Sequence, residues 1–358
     1  MSVVHVVVPE GIDDPARPSG GNTFGRRVCR GLPALGWTVH VAQAASHAAL
    51  AETLSRIPDG GLVLLDGLVA SPAPDVLVPE ADRLRLVVLV HMPSGDERER
   101  AVLSAATAVL TTSTWSRRAL LQLHSLRAER VHVAEPGVDP APLAPGTPTA
   151  GSLLSVAAVI PAKGHDVLLD ALGMLLDARW DCLCVGSLER DPAFADTLRR
   201  RAVEGGMDCR VRFSGAQWGA ALARSYREAD VLVLPSRGET YGMVVTEALA
   251  RGLPVIASEI GGVPEALGHG ADGTRPGLLV PPDDPPALRD ALRAWLDDHD
   301  LRRRLRRAAR ERRASLSRWS ATTAAVADVL VGAATTDAGS TALTRGEGAG
   351  FAGAGAGR

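Results

Sequence analysis

Lysine is all but missing from this chain. Of 39 basic side chains in 358 residues, Lys163 is the only lysine and the rest are arginine. Acids and bases nearly cancel, with a formal net charge of −2 and a pI near 6.5. That balance excludes the broad basic face with which proteins usually hold nucleic acid, so a small ligand is expected. Cysteine is scarce: Cys29, Cys182, Cys184 and Cys209 are the four. Cys182-Leu183-Cys184 stands in a strand-like run without metal-ligand spacing, and all four read as buried free thiols suited to a reducing cytoplasm. Long hydrophobic runs are missing too. No segment reaches the roughly 18 apolar residues of a membrane span, and the opening "MSVVHVVVPE" lacks the basic region of a signal peptide. The chain is expected to be soluble and cytoplasmic.

What the sequence does contain is rhythm. With 46% hydrophobic residues, the chain can bury two cores of moderate size. Short Val/Leu-rich runs, "VVHVVV", "TVHVAQ", "LVLLDG", "LRLVVLV", "TAVLTT" and "RVHVAE", alternate with helix-period segments, as strands of a parallel sheet covered on both faces do. The rhythm stops at "DPAPLAPGTPTAG", a bridge rich in Pro, Ala and Gly. It resumes with "LLSVAAVI", "DCLCVGS", "RVRFSG", "DVLVLPS", "PVIAS" and "GLLVPP". This gives an α/β chain of two facing, doubly wound, Rossmann-like halves, residues 1–145 and 146–314, with a ligand cleft where strand carboxyl ends meet. Three helices follow the last strand, starting near Pro286, Leu301 and Ser315. The third, 315–331, is placed to cross back to the first half, and the Ala/Gly-rich tail 332–358 reads as disordered.

The richest stretch is "PSRGETYGMVVTEALARGLPVIASEIGGVPE", Pro235 to Glu265. A strand ending at Pro235 leads through a loop to a helix expected from about Gly242 to Arg251, stopped by Gly252 and Pro254. Its amino end would offer the N–H groups of Gly242, Met243 and Val244 to a ligand in the cleft, a setting that suits phosphate. Glu239 in the loop and Glu247 one turn into the helix could then line the same cleft and accept from sugar hydroxyls. On spacing alone, a solvated helix with two unrelated acids is the preferred account of the pair.

The same stretch resembles the E-x7-E signature of family 4 glycosyltransferases, retaining enzymes of the GT-B fold. Pro235-Ser236, Glu239, Gly242, Glu247-Ala248, Gly252-Leu253-Pro254-Val255, Gly261-Gly262 and Pro264-Glu265 carry the likeness, and the flanking pattern extends it over about residues 1 to 331. The resemblance implies that Glu247 holds the donor ribose and that Glu239 lies by the transferred sugar and acceptor. It also implies that the backbone from Gly238 and Tyr241 through Val244 meets sugar hydroxyls and phosphate. Within "VAAVIPAKGHDVLLDAL", Lys163-Gly164 matches the family's lysine, which neutralises the leaving diphosphate. The arginine expected beside it is replaced by Ala158, so the charge would rest on Lys163 and helix dipoles, or on an arginine from elsewhere. That the chain keeps its single lysine here points to a selected role.

In the first half, Gly20 and Gly21 of "RPSGGNTFGRRVCRGL" open a helix near Asn22 and permit close backbone approach to a ligand; similar glycosyltransferases have this loop at the interdomain cleft, which implies that both glycines bind the donor. His91, ending the strand of "LVVLVHMPSG", is a structural histidine or, by the resemblance, a catalytic group on the acceptor side. His165 reads as scaffold at a helix start, and "SGAQWGAAL" is either a turn or the loop receiving the nucleotide base. Asp298-His299-Asp300 spells a metal-binding pattern but lies between helices, and no metal site and no cofactor are expected. Arg302 to Arg313 reads as a solvated basic helix, with peripheral contact to acidic lipid as the second reading. The chain is thus expected to be a hexosyltransferase that uses a nucleotide-diphosphate-sugar as co-substrate with an acceptor left unnamed. A nucleotide-sugar epimerase and a non-catalytic sugar-nucleotide binder are the alternatives.

Overall fold

The computed structural model describes residues 2–14 and 19–335. In the first half the order is β1 (Ser2–Pro9), α1 (Gly20–Gly31), β2 (Trp37–Ala44), α2 (His47–Ser55), β3 (Leu62–Asp66), α3 (Gly67–Ala70), α4 (Pro74–Glu80), β4 (Arg85–Val90), α5 (Glu97–Ala105), β5 (Ala108–Thr111), α6 (Thr114–His124) and β6 (Val131–Val133). The second half runs β7 (Ser152–Val156), α7 (His165–Gly173), β8 (Asp181–Val185), α8 (Pro192–Glu204), β9 (Val211–Phe213), α9 (Gly219–Glu228), β10 (Val231–Leu234), α10 (Met243–Leu249), β11 (Val255–Ser258), α11 (Val263–Leu267) and β12 (Gly277–Val280). Three helices close the chain: α12 (Pro285–Asp297), α13 (His299–Ala314) and α14 (Trp319–Thr335).

Each half builds one six-stranded sheet, ordered β2-β1-β3-β4-β5-β6 and β12-β11-β10-β7-β8-β9, with every recorded pairing parallel. Strands that are apolar without alternation are buried on both faces, as in β3 "LVLLD" and β10 "VLVL". Small polar residues start the helices: the side chains of Ser19, Ser46, Asp96, Ser113, Asp191, Asp284 and Asp298 each accept a first-turn N–H. Each sheet carries a hydrophobic cluster on either face. Val326, Ala327, Leu330 and Ala333 of α14 belong to the cluster around Val4, Val6, Phe24 and Val28, so the chain's last helix is packed on the first sheet.

Some sequence boundaries move. The first helix begins at Gly20, two residues before Asn22, because Ser19 caps it by accepting from the Asn22 N–H at 3.0 Å. The last helix runs on past Val331, so Gly332 to Thr335, expected to start the tail, are helical; 336–358 lie outside the described residues. Cys182 and Cys184 are buried as expected, whereas Cys29 is half-buried and Cys209 exposed; all four are free thiols. Among the described residues, no helix is long and apolar enough to cross a membrane.

The return of the chain to the first sheet depends on one close contact. A Cβ at Gly137 would come within 2.3 Å of the Trp319 nitrogen and 2.5 Å of the Arg318 carbonyl carbon. These are backbone atoms, which cannot swing aside. Gly137→Ala is expected to destabilise the fold by about 2 kcal/mol through overpacking, read as a shift in the denaturant midpoint. An unchanged midpoint would show that α14 does not need this seat.

Candidate active site

The carboxyl ends of the two sheets face each other, and several contacts join them. Ser113 Oγ donates to the Thr240 carbonyl at 2.6 Å, and the Thr114 N–H donates to Glu265 Oε2 at 2.8 Å. A Cβ on Gly20 would meet the Met243 sulfur at 3.1 Å, and one on Gly21 would meet the His91 ring at 3.2 Å. Gly20, Gly21, His91 and Met243, drawn from three loops and both halves, therefore converge. His91 has its Nε2 3.3 Å from Asp66 Oδ2, without the alignment of a hydrogen bond, and its ring meets Phe24 edge-on at 5.7 Å.

Lys163 lies across this region from the first half. Its Nζ donates to Glu239 Oε1 at 2.6 Å and stands 3.5 Å from the Gly238 carbonyl oxygen. Ser236 Oγ donates to the same Glu239 oxygen at 3.0 Å. The loop bearing Lys163 is brought here by Gly164, whose φ of 67° is left-handed and whose Cβ would sit 1.9 Å from the Pro235 carbonyl oxygen, so only glycine fits. The same reason explains Gly261-Gly262: a Cβ on Gly261, at φ 56°, would fall 1.7 Å from the Glu239 carbonyl oxygen. That turn is therefore the seat of the loop carrying Glu239.

The helix after the loop starts one residue later and ends two residues earlier than the sequence suggests. Gly242 is its left-handed N-cap, with φ 88°, and is buried. Tyr241 is buried too, its side chain in the core of the second half, where desolvation pushes its hydroxyl pKa up. The half-buried residues at this end are Met243 and Val244. The first N–H taken up inside the turn is that of Val245, which donates to the Gly242 carbonyl at 2.9 Å.

Glu247, half-buried on α10, accepts from the Tyr226 hydroxyl at 2.8 Å. Burial raises its carboxyl pKa, against the pull of Tyr226 and Arg251. Arg251 lies over the Tyr226 ring at 4.4 Å and donates to the Glu247 carbonyl oxygen at 2.7 Å. Sequence reasoning missed Tyr226 and Asp66. One available signal was that the chain has only two tyrosines; the other was that Asp66 closes the strand next to that of His91 in the sheet.

Among the described residues, Arg237 is the arginine nearest to Glu239 in the chain, and it is not free to replace the one missing at Ala158. Arg237, in the Glu239 loop, makes two bonds to Asp166, at 2.9 and 2.8 Å, and a third to Asp283 at 2.5 Å. Its pKa is raised mainly by the bonds to Asp166. Asp298 caps α13 by accepting from the Leu301 N–H at 2.8 Å, a structural use of the acid-x-acid pattern. The basic helix is largely spent on ties: Arg302 donates to the Trp295 and Leu296 carbonyls, Arg306 to Asp230, and Arg313 to the Ala141 and Ala250 carbonyls.

His165 starts α7 and is buried, with neither ring nitrogen partnered. Desolvation lowers its pKa to about 4 from 6.5. A base whose folded pKa is depressed is stabilising above 6.5, and the unfolded chain takes the proton first as pH falls toward 4. Stability is expected to drop across that window by as much as about 3 kcal/mol. His165→Phe should flatten the dependence in denaturant titrations at pH 7 and 5; an unchanged slope would assign it to other groups.

Comparison with known proteins bears on the family and the fold. Residues 148–312 match the family described as glycosyl transferases group 1. The D-inositol 3-phosphate glycosyltransferase of Jonesia denitrificans is 34% identical over 244 residues, 63% of this chain and 56% of that protein. The chain spans about half the length of the curated relatives it matches. A glycosyltransferase structure from Rickettsia africae superposes with a TM-score of 0.74 at 18% identity, covering 94% of this chain and 99% of the other. The Anabaena protein HepE, solved with UDP and glucose, gives 0.74 at 18% identity over 93% of this chain and 100% of its own. Residues 148–312 therefore belong to the family described as glycosyl transferases group 1, and the chain that carries them is GT-B in fold.

Proposed function

We propose that the chain transfers a hexose-type sugar from a nucleotide-diphosphate donor to an acceptor hydroxyl, with retention at the anomeric carbon and without a metal. The observation that carries this reading is the meeting of Lys163 with Glu239 at the joint carboxyl ends of two sheets, 2.6 Å apart. An ammonium and a carboxylate that neutralise each other in the free protein are exchanged, on binding, for a diphosphate and a sugar hydroxyl. The diphosphate would lie between Lys163 and the N–H groups of Met243 and Val244. Glu247 would accept from the ribose, and Glu239 and His91 would flank the transferred sugar and the incoming hydroxyl.

In the step itself the bond from C1 to the phosphate oxygen breaks and the diphosphate leaves with the electron pair. The acceptor oxygen then bonds C1 on the same face, and its proton passes to the departing phosphate oxygen. The protein's part is charge stabilisation and positioning. The name of the Jonesia relative makes an inositol phosphate one acceptor to try, and HepE makes a uridine nucleotide one donor.

A thermal-shift screen against UDP, GDP and ADP and their hexose conjugates tests the donor. NMR of the product with excess EDTA present tests retention and metal independence. The reading expects one nucleotide to stabilise the fold and an anomeric configuration unchanged from the donor. An inverted product, or turnover lost with EDTA and restored by a divalent ion, would overturn those parts. Binding without turnover would favour a non-catalytic binder, which the alanine at 158 makes the second reading.

A further inference from the structure

Behind the first-half wall of the cleft lies a carboxylate with no part in the reading above. Glu99, in the first turn of α5, is 1% exposed, although Ser94 to Arg98 before it are all exposed. Its Oε2 accepts from the N–H groups of Ser94 at 2.9 Å and Gly95 at 3.0 Å, and lies 2.8 Å from Nε2 of buried His124. Its Oε1 accepts from Ser71 Oγ at 3.2 Å. His124 has no partner on its other ring nitrogen.

A glutamate at this position of a helix ordinarily reaches back to the N–H of the N-cap residue. Here the N-cap, Asp96, accepts the N–H of Glu99 at 2.8 Å, while the Glu99 side chain passes it and grips the two residues before it. The donors come from three elements that leave neighbouring strands: Ser71 closes α3 after β3, Ser94 and Gly95 follow β4, and His124 ends α6 after β5. The gripped segment, His91 to Asp96, begins with the ring that Gly21 packs against.

We propose that Glu99 is a positioning residue for sugar transfer: through Ser94, Gly95 and His124 it fixes the His91–Asp96 loop, and with it the His91 ring, on the acceptor side of the cleft. The inference rests on the transfer reading of that cleft. A plain helix cap would set only the stability of α5. A positioning group sets turnover and leaves the nucleotide alone, because the diphosphate and ribose contacts proposed above, at Lys163, Met243, Val244 and Glu247, belong to the second half.

The test uses the full chain with Glu99→Ala and the milder His124→Asn, each alone and combined with His91→Gln. UDP affinity is measured by calorimetry, UDP-glucose turnover with water as acceptor by UDP release, and amide hydrogen exchange over residues 91–96 by mass spectrometry. Exchange in that segment should quicken at least about tenfold and turnover fall by about thirtyfold, the scale of a reacting group displaced by under an ångström. UDP affinity should stay within about twofold, because its contacts are not those that move. In the His91→Gln background the second change should cost no further rate. Unchanged exchange in both variants, loss of UDP affinity in step with rate, or multiplied losses in the double variants would each overturn the proposal. A wild-type chain that binds none of UDP, GDP and ADP and consumes none of their hexose conjugates would sink the transfer reading instead, and the exchange measurement would then decide alone whether Glu99 holds the loop. Should Glu99→Ala fail to fold, His124→Asn carries every arm.

Discussion

Lys163→Ala is expected to lower sugar-donor turnover by about a hundred- to a thousandfold, the cost of removing one preorganised group from a developing negative charge. The effect is expected to be large because Ala158 supplies no charge and Arg237, in the same loop as Glu239, is held by Asp166 and Asp283. Lys163 and Glu239 are 22% and 14% exposed, so their charges are screened less than those of a surface pair. The substitution also strips Glu239 of its counter-charge, leaving Ser236 as its remaining recorded donor. Lys163→Ala combined with Glu239→Gln separates the two effects. If the loss comes from the missing charge on the diphosphate, the double variant is at least as slow as the single one and UDP binds more weakly in both. If it comes from an orphaned carboxylate, the double variant is faster than Lys163→Ala alone. Because Lys163 is the only lysine, its protection from an amine-directed reagent by UDP can be read with the terminal amine as sole competitor. A Lys163→Ala enzyme with wild-type turnover would remove the electrostatic basis of the proposed mechanism.

The two sheets were legible in the sequence because an apolar run with no alternation, bounded by glycine or proline, has few other uses in a chain with no membrane-length segment. The Glu239 loop was legible for a related reason. Gly164 and Gly261 stand where a carbonyl oxygen from another segment of the chain, that of Pro235 or Glu239, leaves no room for a Cβ, so the glycine letters beside Lys163 and facing Glu239 have a steric cause. What could not be read were contacts between distant letters. Thr114 meeting Glu265, Met243 meeting Gly20, and Glu99 meeting Ser71 and His124 each join segments whose spacing in the chain carries no period. Helix ends were misplaced by a residue or two where capping competed with propensity, as at Gly242, whose left-handed backbone stops the helix from including it.

Tyr226→Phe and Glu247→Ala are expected to act on the donor rather than on the chemical step, and to different degrees. A carboxylate bonding two hydroxyls contributes about 1.5–3 kcal/mol per bond, so losing it should raise the donor dissociation constant by at least about a hundredfold. Glu247→Ala also leaves the fully buried Tyr226 without its acceptor. Tyr226→Phe keeps the carboxylate and removes only the hydroxyl that points it, so a loss of about five- to tenfold in donor affinity with kcat unchanged is expected. The pH dependence tells the two apart. Burial raises the Glu247 pKa and the Tyr226 hydrogen bond opposes that rise. The ionised form, which accepts from the ribose, is lost as pH falls through the raised pKa. Without the tyrosine hydroxyl the pKa climbs further, so in Tyr226→Phe the fall in donor affinity should begin at a higher pH than in the wild type. Glu247→Ala, with no carboxylate left to titrate, should lose that step altogether. Donor affinity measured between pH 5 and 8 in the three proteins decides the matter, and parallel curves would mean that Glu247 does not hold the donor.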